Sequence, residues 1–186
     1  MTAVRRPVLT GPRVRLRPPV AADVPFLFPW INDPERVAPF DRFSVDTVES
    51  FAASLSDSDD DLQSLAPRYV VERKDDGTRL GVVGYYSAHP VLTLLDVWYI
   101  LGVTEERGKG YGREAVGLLV DQLFRALPVD RVGATCDVEN LPSARLVEGL
   151  GFRREGTLRS ALHHHGRWHD VLVFGITRRE WSARAR

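Results

Sequence analysis

The chain has 186 residues, 25 Lys plus Arg against 25 Asp plus Glu, a single Cys and 44% hydrophobic residues. At about 150 residues per domain this is one domain, residues 1–186, able to bury about 70% of its unfolded surface. Zero net charge gives no global field for a polyanion, one Cys gives no disulfide or thiolate cluster, and no apolar run nears the 18 or so residues of a membrane span. The expected setting is the cytoplasm, with no nucleic acid or membrane as partner.

In chain order, Arg13 to Arg17 alternates apolar and charged, the pattern of a strand with one buried face, and Pro18-Pro19 ends it. Asp23 is placed to cap a short helix with Pro25 in its first turn, running to about Ile31. Val48, Phe51, Ala52 and Leu55 recur at helical spacing and predict a second helix from about Asp46 or Thr47. The acidic run from Ser56 to Asp61 reads as a solvated loop.

Three strand-like runs follow, 68–73, 80–87 and 92–101, with the turn signal Asp75-Asp76-Gly77 between the first two. The third is apolar on both faces, which places it mid-sheet. Val116, Leu119, Val120, Leu123, Phe124 and Leu127 predict a helix closed by Pro128. A strand over 131–138, a helix with Pro142 in its first turn and Gly151 as its left-handed cap, and two strands near 152–161 and 168–177 complete the chain. The order β-α-α-β-β-β-α-β-α-β-β describes an α/β domain with a mixed sheet of about seven strands, an antiparallel first half and about four helices.

The chemistry is concentrated in Arg107-Gly108-Lys109-Gly110-Tyr111-Gly112, between a strand and an amphipathic helix. Unsatisfied amides and the positive end of the helix dipole converge there, glycines allow close backbone approach, and Arg107, Lys109 and Arg113 add charge. An anionic cofactor, a pyrophosphate, is the expected occupant. No Ser or Thr follows a Gly-Lys pair as in a Walker loop, and glycines at 108, 110 and 112 miss the Gly-x-Gly-x-x-Gly spacing of a dinucleotide site.

Arg-x-x-Gly-x-Gly instead resembles the pyrophosphate-binding pattern of the GNAT superfamily of N-acetyltransferases. Asn140-Leu141-Pro142-Ser143 with Gly151-Phe152 is similar to that family's second motif, and Leu9 to Arg17 to its opening strand. Residues 155–159 and 166–170 resemble its closing hairpin. The likeness spans nearly the whole chain and is nearest to the RimJ/RimL-type branch, the ribosomal-protein-alanine acetyltransferases.

The resemblance implies a sheet that splays beside the strand ending at Leu101, with acetyl-CoA as cosubstrate. Backbone near Ile100 to Val103, including Leu101 and Val103, would hold the thioester arm. Residues Arg107, Gly108, Lys109, Gly110, Tyr111, Gly112 and Arg113 would hold the pyrophosphate, and Asn140 and Ser143 would border the pantetheine channel. The acceptor would be an amine, either a peptide N-terminus or a small molecule, and dimers are common among similar proteins, so a homodimer is open. Succinyl-CoA as donor and a non-catalytic coenzyme A-binding domain are the competing readings.

Acetyl transfer to an amine needs a proton acceptor, oxyanion stabilisation and a proton for the departing thiolate. Asp96, acidic in an otherwise apolar strand, is the candidate base or substrate contact, and burial would raise its pKa. A carboxylate bonded to neighbouring strands is the alternative. Ser143 is the candidate acid on the family's precedent, against a plain first-turn hydroxyl. Trp30, Phe40 and His163 are expected in the acceptor pocket. Where ribosomal-protein enzymes of this branch place a Glu, this chain has Leu162.

His163, His164, His165 and His169 lack a ligand spacing, and neighbours on an extended segment point in alternate directions, so no metal is expected. Cys136 alternates with Val132 and Ala134 as core, which favours direct transfer in a ternary complex over a cysteine-bound intermediate.

Overall fold

The computed structural model describes residues 7–32, 47–57, 68–87 and 94–184. Strands β1 (Leu9–Thr10), β2 (Val14–Arg17), β3 (Arg68–Arg73), β4 (Arg79–Ser87), β5 (Leu95–Leu101), β6 (Arg131–Asp137), β7 (Arg153–His164) and β8 (Arg167–Thr177) form one sheet in the order β1-β2-β3-β4-β5-β6-β8-β7. The helices are α1 (Val24–Asn32), α2 (Val48–Asp57), α3 (Tyr111–Ala126), α4 (Leu141–Gly149) and α5 (Arg178–Arg184). The eighth strand is the two-residue β1, too short to carry a period, and the fifth helix is α5.

The alternation in the strands separates two cores. Val14, Leu16, Tyr69, Val71, Tyr85, Val97 and Val132 pack with Val116, Leu119, Val120 and Leu123 of α3. On the other face Val70 and Val82 pack with Leu27 and Trp30 of α1 and Phe51 of α2, and with half-buried Trp98 and Ile100. Each fully buried aliphatic side chain contributes about 1.5–3 kcal/mol. β5 has apolar residues toward both layers, the physical basis for its central position.

Asp23 does not cap α1 in the expected way. It closes a 3-10 turn over Ala21–Asp23, its carboxylate reaching back to the Val20 amide at 2.8 Å, and the chain enters α1 directly afterwards. Thr47 caps α2 through its hydroxyl, which accepts from Ser50 at 3.1 Å. Gly151 takes φ 85° after α4, where a side chain would be strained. Phe40 and residues 58–61 of the acidic run lie outside the described residues.

Sheet pairing contains the feature that positions the site. β4 and β5 pair along seven positions, from Ser87 with Leu95 to Gly81 with Leu101, but β5 and β6, parallel to one another, pair only at Leu95 with Val132 and Asp96 with Gly133. Beyond Asp96 the two strands part, and β6 continues alone against β8. The sheet is splayed at its middle. No helix among the described residues is long and apolar enough to cross a membrane.

Candidate active site

β5 ends at Leu101, a 3-10 turn covers Thr104–Glu106, and α3 starts at Tyr111. Gly108 and Gly110 between them take φ 76° and 87°, a left-handed geometry that aims successive amides to one side. The amides of Gly108 to Gly112 have no acceptor among the described residues. This is an anion cradle of bare main chain at the positive end of a sixteen-residue helix.

The cationic side chains around it are tied to the protein. The Arg107 guanidinium donates twice to the Leu101 carbonyl, at 2.9 and 3.0 Å. Lys109 pairs with Glu106 at 3.1 Å, and Arg113 reaches across to the Gly149 carbonyl at the end of α4. Arg13 braces the loop from below: it donates to the Lys109 carbonyl at 3.0 Å, pairs with Glu114 and lies over the Tyr111 ring. These contacts hold the loop open. Their charges still bear on the cradle.

At the end of β5 the amides of Gly102 and Val103 both turn to the Leu80 carbonyl, at 3.0 and 3.4 Å. Gly102 is glycine for a steric reason, because a Cβ there would stand 2.0 Å from the Trp30 indole. Trp30 therefore lies on the backbone where β5 ends, 7% exposed, and links α1 to the mouth of the gap. Gly112 lets α3 approach Leu101 and Leu146 in the same way.

Asn140 and Ser143 meet at the start of α4. The Asn140 carbonyl oxygen accepts from the Ser143 amide at 3.2 Å as the helix cap, and the Asn140 amide group stays available as a donor. The Ser143 hydroxyl does not bond to its own helix; it stands 2.6 Å from the Tyr99 hydroxyl on β5. Burial pushes Tyr99 up to about 12 despite its bond to Ser143. Burial likewise raises Cys136 on β6, against a hydrogen bond from Ser143. Tyr99, Ser143 and Cys136 thus converge from β5, α4 and β6 at the parting of the strands.

Sequence reasoning placed Tyr99 on a face of β5 but did not single it out. Its alternation with Val97 and Leu101, toward the helix carrying Ser143, was the available signal.

Asp96 sits where β5 and β6 last touch. Gly133 opposite it has no side chain, and a Cβ there would meet the Asp96 carboxylate at 2.1 Å. Burial raises its pKa; the Arg131 guanidinium opposes that rise, and the Glu155 carboxylate adds to it. Arg131 is itself held by Glu155 at 2.6 Å, and Gly175 leaves room for the Glu155 carboxylate as Gly133 does for Asp96. Two cross-strand glycines thus seat two carboxylates about one arginine. Glu155 entered the site through a bulge in β7 that sequence does not reveal.

In the closing hairpin, His163 packs its ring edge against Trp168 at 5.1 Å. By strand alternation it lies on the opposite face from Leu162 and His164, whose cross-strand neighbour His169 shares their face. His163 is therefore not gathered with Asp96; His164 and His169 hold the nearer face.

A sheet that opens beside a helix whose first turn is a run of open amides is the architecture of the acyl-CoA-dependent N-acyltransferases. The chain belongs to the acetyltransferase (GNAT) family: the family model matches residues 13–153. It is 30% identical to the N-acetyltransferase p20 of Bacillus licheniformis, over 91% of this chain and 96% of that one. Among solved structures it resembles Mycobacterium smegmatis RimJ in complex with a CoA-disulfide, with a TM-score of 0.78 and 25% identity over 94% of this chain and 88% of that one. It also resembles a GNAT-family protein of Chromobacterium violaceum, with a TM-score of 0.74 and 28% identity over 98% and 92%.

Proposed function

We propose that this chain, acting as one domain in the cytoplasm, moves an acetyl group from acetyl-CoA to an amine by direct attack in a ternary complex. One observation carries the reading: the open amides of Gly108 to Gly112 lie at the helix end that follows β5, and β5 borders the only break in its pairing with β6 among the described residues. A diphosphate on those amides leaves an extended pantetheine arm to run along β5 into the gap. Acetyl-CoA supplies an activated thioester there.

Within the gap the chain's own groups divide the proton work. The Ser143 hydroxyl, hydrogen-bonded to Tyr99, stands beside the channel from α4 and delivers a proton to the departing sulfur. Tyr99 stays protonated at neutral pH, so it can restore that proton. Asp96, on the opposite face near the point of divergence, accepts the proton of the attacking amine directly or through water. Its raised pKa brings it nearer the operating pH than an ordinary aspartate. Cys136 is held as a protonated thiol by burial, in keeping with transfer that does not pass through it.

The test is the cradle. Gly110→Asp adds the strain of φ 87° and puts a negative charge into the cradle loop, beside the Arg13 guanidinium that its Cβ would meet at 3.0 Å, and should lower acetyl-CoA affinity by about 10-fold or more. Gly110→Ala adds the strain of φ 87°, roughly 1–2 kcal/mol, and a 3.0 Å approach to the Arg13 guanidinium but no negative charge, and should lose less. Isothermal titration with acetyl-CoA gives the affinities, and thiol release with peptide, polyamine and small-amine acceptors gives turnover. Equal affinity in wild type and Gly110→Asp would move the cofactor elsewhere.

A further inference from the structure

Asp137 ends β6 on the sheet face that also carries Asp96, Gly133 and Thr135, because successive strand residues alternate sides. Its carboxylate is fully buried, and no Arg or Lys among the described residues pairs with it. One oxygen, Oδ2, stands 2.8 Å from His164 Nε2 and 3.0 Å from His169 Nδ1. The other accepts the Glu139 amide at 2.6 Å. The Glu139 carboxylate itself lies 3.8 Å from the same His169 nitrogen. Two acids therefore face two imidazoles.

The hairpin builds this cluster through pairing rather than spacing. Leu162 pairs with His169 and His164 with Arg167, so residues five apart in sequence sit together on one face, their rings stacked 3.6 Å apart. His163 points the other way. His165, at φ 49°, turns the chain.

Hydrogen bonding alone leaves the cluster unbalanced. His169 Nε2 is buried without a partner, so Nδ1, toward the Asp137 carboxylate, is the nitrogen through which that ring is engaged. A buried carboxylate lacking a fixed cation carries a large desolvation cost.

The geometry points to a site for one divalent transition-metal ion on Asp137, His164 and His169, of which zinc is the natural probe. One donor atom from each residue already lies within 4.8 Å of the others. Ligands about 2.0–2.1 Å from zinc, at angles between square and tetrahedral, stand about 2.9–3.4 Å apart, close to the separations that the carboxylate shows from both rings. Two imidazoles with one carboxylate suit zinc, iron or nickel, whereas magnesium and calcium take oxygen ligands. Three protein donors leave a position open for water or for an oxygen of a bound molecule, on the same face as Asp96. The site shares no residue with the amide cradle, and its existence does not depend on the acyl-transfer reading.

Chelator-treated full-length chain titrated with zinc by calorimetry should take up one ion, and cobalt(II) in its place should give a ligand-field absorption band. Asp137→Asn and His164→Ala should each weaken zinc by more than the about 10- to 100-fold that loss of an outer partner costs. His163→Ala, on the opposite face, should bind as the wild type does, and His165→Ala, whose Nδ1 stands 3.1 Å from that of His164, should lose no more than an outer partner does. Circular dichroism confirms folding, and His164→Ala, at the rim, decides the matter should Asp137→Asn fail to fold. No zinc uptake by the wild type would overturn the site. Affinity that survives His164→Ala, or that falls with His163→Ala, would overturn it too.

Discussion

The antiparallel wing β1–β4 and the split between β5 and β6 treat buried acids in opposite ways. In the wing, Asp23 is fully buried, yet Arg17 reaches it at 2.6 and 2.8 Å, Arg79 at 2.7 Å and the Val20 amide at 2.8 Å. Burial would raise its pKa, but the Arg17 and Arg79 hydrogen bonds overcome that and hold it at about 2. Glu72 beside it is likewise shared by Arg15 and Arg17. At the split, burial raises the pKa of Asp96, which among the described residues meets the fields of Arg131 and Glu155. A carboxylate saturated with permanent cations cannot take a proton at neutral pH; one left poorly compensated can. The wing commits its charge to structure, and the split leaves its acid without a paired cation among the described residues.

The largest expected effect comes from breaking the saturated side. Asp23→Ala takes the carboxylate from Arg79 and leaves Arg17 with Glu72, a loss of about 3 kcal/mol in unfolding free energy, read by urea denaturation. The pH dependence has a definite sign. The folded pKa of Asp23 lies below the usual 3.8, so its stabilisation is complete above 3.8 and is lost as pH falls toward about 2. Acid unfolding should therefore shift to higher pH in a variant lacking only Arg79. A loss below about 1 kcal/mol for Asp23→Ala would place it with exposed pairs and remove the contrast.

On the other side, Asp96→Asn should lower turnover by about 100-fold, the lower range for a lost general base, with little change in acetyl-CoA affinity. Stability should move the opposite way from the Asp23 variant. A folded pKa raised above the unfolded value means that stability falls as pH climbs through the folded value, so above it the ionised Asp96 weakens the fold. Asp96→Asn removes that cost, and its melting temperature should be equal to or higher than that of the wild type. Full turnover would assign Asp96 to structure alone.

How much of this was legible in the sequence follows from the range of the interactions involved. The strand and helix order came from periodicity, a local property, and the cradle from glycines placed between a strand and an amphipathic helix. What stayed hidden depended on register. Nothing local says that Gly133 faces Asp96, that a bulge brings Glu155 over Gly175, or that Tyr99 meets Ser143 forty-four residues away. The histidines show the limit most clearly. Alternation separates His163 from His164, but it does not show that the turn at His165-Gly166 sets the His165 ring against His164 and returns His169 to the same face.

The smallest effect tests whether the split also holds a proton donor on its far wall. Tyr99→Phe removes one hydroxyl from a 2.6 Å contact and should cost about 1 kcal/mol of stability. Ser143 keeps its own hydroxyl in this variant, so turnover should fall less than in Ser143→Ala, whose loss belongs to the general-acid range of about 100-fold. Wild-type Tyr99, with its pKa pushed up to about 12, still carries its proton in alkaline buffer, so it can resupply Ser143 across the working range. Tyr99→Phe should therefore lose relatively more turnover as pH rises and free protons become scarce. A flat ratio of variant to wild type across that range would leave the Tyr99 to Ser143 bond as a brace between β5 and α4, and Ser143 would take its proton from water.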